Sequence, residues 1–259
     1  MKQSVFITTL LIVSIVVSTI IFVFVFGAPG NFKPDSPKTP VNIMGAIYLG
    51  GPVVIALMTL AIMVITFTIE RGLSLAKAKG KGPIEVFLKK VQSNLTEGNI
   101  DAAIDECNKQ KGSIANILRT GLERYQTLQV DGSKDAEVKL TEVQSAIEEA
   151  MMLEVPLLEK NLVALSTIAS VSVLVGLFGT VVGMIRAFQA LATAGTPNAA
   201  ELSAGISEAL INTAGGLFGA IIGTLAYNFY TTKVGNLTYM IDEATYNMMQ
   251  ILAVRSRKA

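Results

Sequence analysis

Between residues 161 and 232 the chain carries two long apolar stretches, and Glu208 is the acid embedded in them. A carboxylate at membrane depth is costly and sits in a protein interior or beside water, so an ion or proton path is the first chemistry it suggests. Hydroxyls accompany it. At about 100° per residue, Ser166, Ser170, Val173, Leu177, Thr180 and Met184 share one stripe of a helix, and Thr213, Ala220, Thr224 and Thr231 share a stripe of the next. Glycines form separate seams where a neighbouring helix can approach: Gly176, Gly179 and Gly183 beside the first stripe, and Gly215, Gly219 and Gly223 roughly opposite the second. A membrane Ser or Thr also bonds its own i−4 carbonyl, which is the structural alternative for any one hydroxyl.

Glu208 falls on the glycine side of its helix together with Asn212, away from Thr213. A helix starting near Asn198, with Glu201 as capping-box partner, puts Glu208 about three turns in. Arg186 either snorkels to the interface or pairs with Glu208. Proton movement needs a titratable group near mid-depth, where these helices offer hydroxyls and glycines. A second protein is therefore expected to supply that acid.

The elements that hold these residues are membrane spans. Half of the 259 residues are hydrophobic (51%) and 16% are charged, too apolar for an ordinary soluble enzyme of this size. Residues 5–26, 44–69, 162–192 and 206–230 each reach the ~20 residues a spanning helix needs, giving an all-α, polytopic membrane fold. Histidine is absent and Cys107 is the single cysteine. That removes Cys/His zinc sites, Ser-His and Cys-His nucleophile pairs and internal disulfides, so no enzyme activity and no cofactor are expected. With 21 basic and 20 acidic residues, no nucleic-acid partner is implied.

Basic residues orient the chain. Lys77, Lys79, Lys81, Lys89 and Lys90 follow the second span, Lys233 follows the fourth, and Arg255, Arg257 and Lys258 close the chain, whereas residues 187–232 have none. The loop 193–205 is thereby expected outside and both termini in the cytoplasm. Lys33 and Lys38 in the outer connection run slightly against this. The first segment, 1–27, reads as a retained span, because it exceeds a signal-peptide core and no A-x-A site follows. The expected layout is then a linker at 28–43, a span at 44–69, a helical cytoplasmic domain at 70–160, pore spans at 161–192 and 206–232, and a C-terminal helix at 233–259.

Within 84–160 the periodicity predicts helices over 84–95, 99–109 and 114–128. From about Lys134 an unbroken pattern runs into Leu162, predicting one rod from cytosol through the third span, ~85 Å long at ~1.5 Å per residue, with Pro156 either bending it or marking a junction. No glycine-rich nucleotide loop, EF-hand or H-E-x-x-H pattern occurs there, which leaves a helical assembly scaffold.

The sequence Gly176-Leu-Phe-Gly-Thr180-Val-Val-Gly-Met184, followed by Gly205-Ile-Ser-Glu208-Ala-Leu-Ile-Asn-Thr213-Ala-Gly-Gly-Leu217 and later Tyr227-Asn228, resembles the MotA/TolQ/ExbB proton-channel family, most of all its ExbB and TolQ branch. The resemblance covers about residues 134–235. It implies a bacterial inner-membrane complex in which five copies surround a dimer of a single-span ExbD-like or TolR-like partner that supplies the proton-accepting aspartate. By position it makes Thr180 and Thr213 the pore threonines and Glu208 the membrane glutamate. It further implies work on an outer-membrane transporter through a TonB-like periplasmic protein, with a TolQ-like envelope role or a non-conducting scaffold as alternatives. The chain departs from that pattern in its extra span at 5–26 and in Val173, where a proline is common.

Overall fold

The structure, a computed structural model, describes residues 3–34, 36–130, 135–193 and 199–256. It divides into two compact units, Met1–Ile69 with Val163–Asn228, and Glu70–Leu162 with Phe229–Ala259. Among the described residues four helical stretches are long and apolar enough to cross a membrane, and the protein is an all-α polytopic membrane protein.

The first unit starts with α1 (Gln3–Ile20), whose apolar run continues into a π-helical turn, Ile21–Phe26. That turn leaves carbonyls open at its end. Buried Asn31 closes them, donating from Nδ2 to Val25 O (2.7 Å) and Phe26 O (3.0 Å) while its Oδ1 accepts from Asn42 Nδ2 (2.9 Å). The expected extended linker is thus an ordered connection, with a small hairpin of β1 (Phe32–Lys33) and β2 (Ser36–Pro40). Tyr48 stacks on Phe22 at 4.7 Å, and Phe6 meets Phe67 edge-on at 6.2 Å, seating α1 beside the second span.

The stretch 44–69 is not a single helix. It consists of α2 (Ile43–Tyr48), N-capped by Asn42, and α3 (Val53–Lys79), separated at Gly50-Gly51-Pro52. Pro52 has no N–H and disfavours helical geometry in the residue before it, and Gly51 takes φ +72°, which a side chain would resist. The third and fourth spans lie in α8 (Leu162–Thr193) and α9 (Ala199–Ser256). The fourth span and the C-terminal helix are one continuous helix, which also begins earlier than 206. The expected cap at Asn198 lies outside the described residues.

In the second unit α4 (Ile84–Glu97), α5 (Ile100–Gln110), α6 (Ser113–Val130) and α7 (Ala136–Glu159) pack with the C-terminal part of α9. Val234, Leu237, Ile241, Ala244, Met248 and Leu252 repeat at three- and four-residue steps and are all buried. The expected single rod through 134–192 does not form. Pro156 is accommodated inside α7, and the helix ends instead at Glu159, with Asn161 at φ +63°. Asparagine tolerates the left-handed region, and here its Nδ2 donates to Glu70 Oε2 at 3.1 Å.

That same carboxylate takes two bonds from Arg71, Nε to Oε2 (2.8 Å) and NH2 to Oε1 (2.5 Å), and Arg71 is 1% exposed. Burial pushes the Glu70 carboxyl up, but the Arg71 and Asn161 hydrogen bonds and the charges of Arg71 and Lys160 outweigh it and hold it below the usual carboxylate range. A lowered folded-state pKa stabilises fully above the unfolded value of 4.5 and is lost as pH falls through the folded value. Glu70→Gln strands a buried guanidinium. It is expected to cost about 1–3 kcal/mol at pH 7, less than a fully buried pair because Glu70 is 30% exposed, and the deficit should close below about pH 4.5. Thermal unfolding in detergent across pH measures this.

Cys107 faces the core of the same unit at 2% exposure, and burial pushes its thiol up to about 12. A maleimide at pH 7.5 should leave it unlabelled until the unit is unfolded, since the thiolate is the reactive form.

Candidate proton path

The pairing of α8 with α9 begins with glycine. Gly176 and Gly216 meet backbone to backbone: a Cβ added at Gly216 would lie 2.6 Å from Ser172 O and 2.8 Å from Gly176 Cα. Gly183 lies as close to Gly205 and Ala209, and Gly205 to Ala187. Gly179 carries the Asn212 side chain on its backbone, its added Cβ falling 2.5 Å from Asn212 Cβ. The second glycine seam faces more than one neighbour: Gly215 meets Leu57 of α3, Gly219 meets the Ser172 hydroxyl, and Gly223 meets Ala169 and Val64. Sequence reasoning missed Gly205, Gly216 and buried Ser172. The spacing Gly205, Ala209, Asn212, Gly216 was the available signal, a helical stripe overlooked because only three of its members are small.

This close approach brings the two threonines together. Thr180 and Thr213 touch hydroxyl to hydroxyl, 33 residues apart in sequence. Each also reaches its own helix, Thr180 Oγ1 to Gly176 O (3.2 Å) and Thr213 Oγ1 to Ala209 O (3.1 Å). A hydroxyl has one hydrogen to donate. The pair therefore has two arrangements: Thr180 donates to Thr213, which donates to Ala209, or Thr213 donates to Thr180, which donates to Gly176. Switching between them reverses the polarity of a short hydrogen-bonded chain, the property a proton relay needs.

Thr180 also shares an uncovered, largely apolar face of α8 with Leu177, Met184, Phe188 and Gln189. The α8 stripe stays largely uncovered within the chain, with Val173 41% and Leu177 58% exposed. Ser166 and Ser170 donate to Val163 O and Ser166 O of their own helix.

Glu208 lies on the other side of α9, 6% exposed, as its position with Asn212 predicts. Of the two alternatives for Arg186, pairing is the one observed: NH1 donates to Glu208 Oε1 at 2.5 Å, with the arginine side chain 51% exposed and the glutamate 8%. Both groups are pressed against the break in the second span, since a Cβ at Gly51 would lie 2.9 Å from Glu208 Oε1 and 3.3 Å from Arg186 NH1. The structure thus brings the threonines to one place and the glutamate to another, on opposite flanks of one helix. Among the described residues no cluster of three His, Cys, Asp or Glu side chains suited to a metal is present.

Residues 109–243, just over half of the 259, match the model of the MotA/TolQ/ExbB proton channel family. The chain belongs to that family. It is a family of membrane proton channels rather than of enzymes. The matched region contains both threonines, Glu208 and the glycine seams. Among individual relatives, the chain is 38% identical over 120 residues to the Tol-Pal system protein TolQ of Pseudomonas aeruginosa, covering 46% of this chain and 52% of that one. It is 37% identical over 133 residues to TolQ of Haemophilus influenzae, covering 50% and 58%. It is 38% identical over 93 residues to the biopolymer transport protein ExbB of Salmonella typhimurium, covering 36% and 37%. The chain thus spans little more than half the length of these TolQ relatives and about a third of that ExbB.

Proposed function

We propose that this protein is the proton-channel subunit of an ExbB/ExbD-like motor of the bacterial inner membrane, with both termini in the cytoplasm, and that it uses the proton motive force to energise TonB-dependent outer-membrane transport. The observation that carries the reading is the Thr180–Thr213 hydroxyl contact beside a face of α8 that the chain leaves uncovered. Five copies with their α8 stripes inward enclose a space for a single-span partner dimer. The partner brings the carboxylate that these helices lack at mid-depth, and protons cross along the threonines to load and unload it. One charge crossing 100 mV is worth about 2.3 kcal/mol, so a few protons per step suffice to break several interhelical contacts and move the partner relative to the ring.

The resemblance to two TolQ proteins supports a second reading, a Tol-type envelope role with a TolR-like partner. Purification through a tag on this chain from its native membranes, with identification of the co-purifying single-span protein and a subunit count, tests both. An ExbD-like partner and proton uptake by the complex in liposomes support the motor as stated; a TolR-like partner moves it to the Tol role. A homo-oligomer with neither partner nor proton flux leaves only a scaffold and ends the proposal.

A further inference from the structure

We propose that Asn212 is a positioning residue for the proton path, holding α9 in rotation by donating its side-chain N–H to the carbonyl exposed where the second span is broken. This inference rests on the threonine reading above and deepens it.

The break creates the acceptor. In an unbroken helix Gly50 O would receive the N–H of Val54, but Val54 N donates to Gly51 O (3.1 Å), and Gly51 N and Gly50 N turn back to Tyr48 O and Ile47 O. Gly50 is buried, so a carbonyl left over in this way has to be satisfied from within the protein. Asn212 Nδ2 donates to Gly50 O at 3.0 Å, across 162 residues of sequence, and Asn212 is fully buried. The carbonyl can only accept, so the amide must present its nitrogen; Oδ1 correspondingly has no partner. The donor half of this amide is the half the fold uses.

The amide is also confined. Asn212 lies so close over the Gly179 backbone that an added Cβ there would stand 2.7 Å from Asn212 Cγ and 2.9 Å from Nδ2. With α8 on one side and Gly50 ahead, the side chain has no second place to go. Its neighbours in α9 are the functional ones: Thr213 is the next residue, and Glu208 lies one turn before, beside Gly51. At about 100° per residue, a hydrogen bond that fixes the direction of Asn212 fixes those of Thr213 and Glu208 too. Releasing it frees α9 to turn on its glycine seam, and even a small turn separates two hydroxyls that now touch.

The test uses the complex purified through a tag on this chain, with proton uptake into liposomes under an imposed potential as readout and crosslinked oligomer as the assembly control. Asn212→Leu keeps roughly the volume and removes the donor; at least a tenfold loss of uptake with the oligomer intact is expected. Asn212→Asp has the shape of asparagine and donates to Gly50 O only when protonated. Its uptake, divided by that of the parent at the same pH, with Glu208 and Arg186 present in both, should rise toward parity as the pH is lowered and fall toward the Leu variant as it is raised. Near-parental uptake in Asn212→Leu overturns the proposal, as does an Asp-to-parent ratio that starts below parity and does not rise as the pH is lowered. Should the Leu variant fail to assemble, the Asp ratio decides. Thr180→Val with Thr213→Val runs in parallel: if that double variant conducts normally, the threonine reading has failed, whereas an inactive threonine variant beside an active Asn212→Leu sinks only the positioning role.

Discussion

Thr180→Val combined with Thr213→Val is expected to abolish proton-driven work while leaving the complex assembled. Valine matches threonine in shape, so the glycine-lined contact between α8 and α9 keeps its packing, and the uncovered α8 stripe changes only by a hydroxyl. What disappears is the shared hydroxyl contact and the single carbonyl bond, to Gly176 O or to Ala209 O, that accompanies it. Those carbonyls keep their helical partners, so the stability cost should stay near 1 kcal/mol, the net worth of a typical hydrogen bond. The conduction cost is far larger, because a hydrogen-bonded chain with its two middle members removed carries no proton. Each single variant retains one hydroxyl and should fall between parent and double. Proton uptake by liposomes provides the measurement; full activity in an intact double variant refutes the threonine role.

Glu208→Ala is expected to reduce proton-driven activity at least tenfold with the oligomer retained. The sequence left open whether assembly or conduction fails first, and the ion pair points to conduction. Removing one partner of a buried pair costs about 3–5 kcal/mol when the other charge is stranded. Here the remaining charge is Arg186, already 51% exposed and able to turn toward water. A structural loss of about 1–2 kcal/mol is then expected, by discounting that buried-pair figure. Loss of the carboxylate, however, frees Arg186 beside Gly51. Crosslinking the variant separates the outcomes: an unchanged crosslinking pattern without uptake supports a part in conduction, and loss of the crosslinked species makes Glu208 an assembly residue.

Much of this site was legible because membrane helices have few ways to place polar groups. The positions of Thr180 and Thr213 on their stripes, and of Glu208 with Asn212 on the other side, follow from helical rotation alone. Charge and length marked the spans. The boundaries were less legible. Apolarity runs through Gly50-Gly51-Pro52 without a gap, so hydropathy joined two helices that backbone chemistry separates. Pro156, read as the bend or the junction of a long rod, sits within a helix, and the break comes at Asn161, whose left-handed turn is stabilised by Glu70 from a distant segment. Nothing local to Asn161 announces that partner.

By itself the sequence determined an all-helical membrane protein, the faces its hydroxyls and glycines occupy, and the motifs that place it in its family, because periodicity and hydrophobic length are properties of a single helix. Only the tertiary structure decided which faces meet. It set Thr180 against Thr213, paired Arg186 with Glu208, and gave Asn212 the Gly50 carbonyl. Each of these joins segments far apart in the chain through contacts of a few ångströms, and the depth to which glycine lets two backbones approach sets that distance.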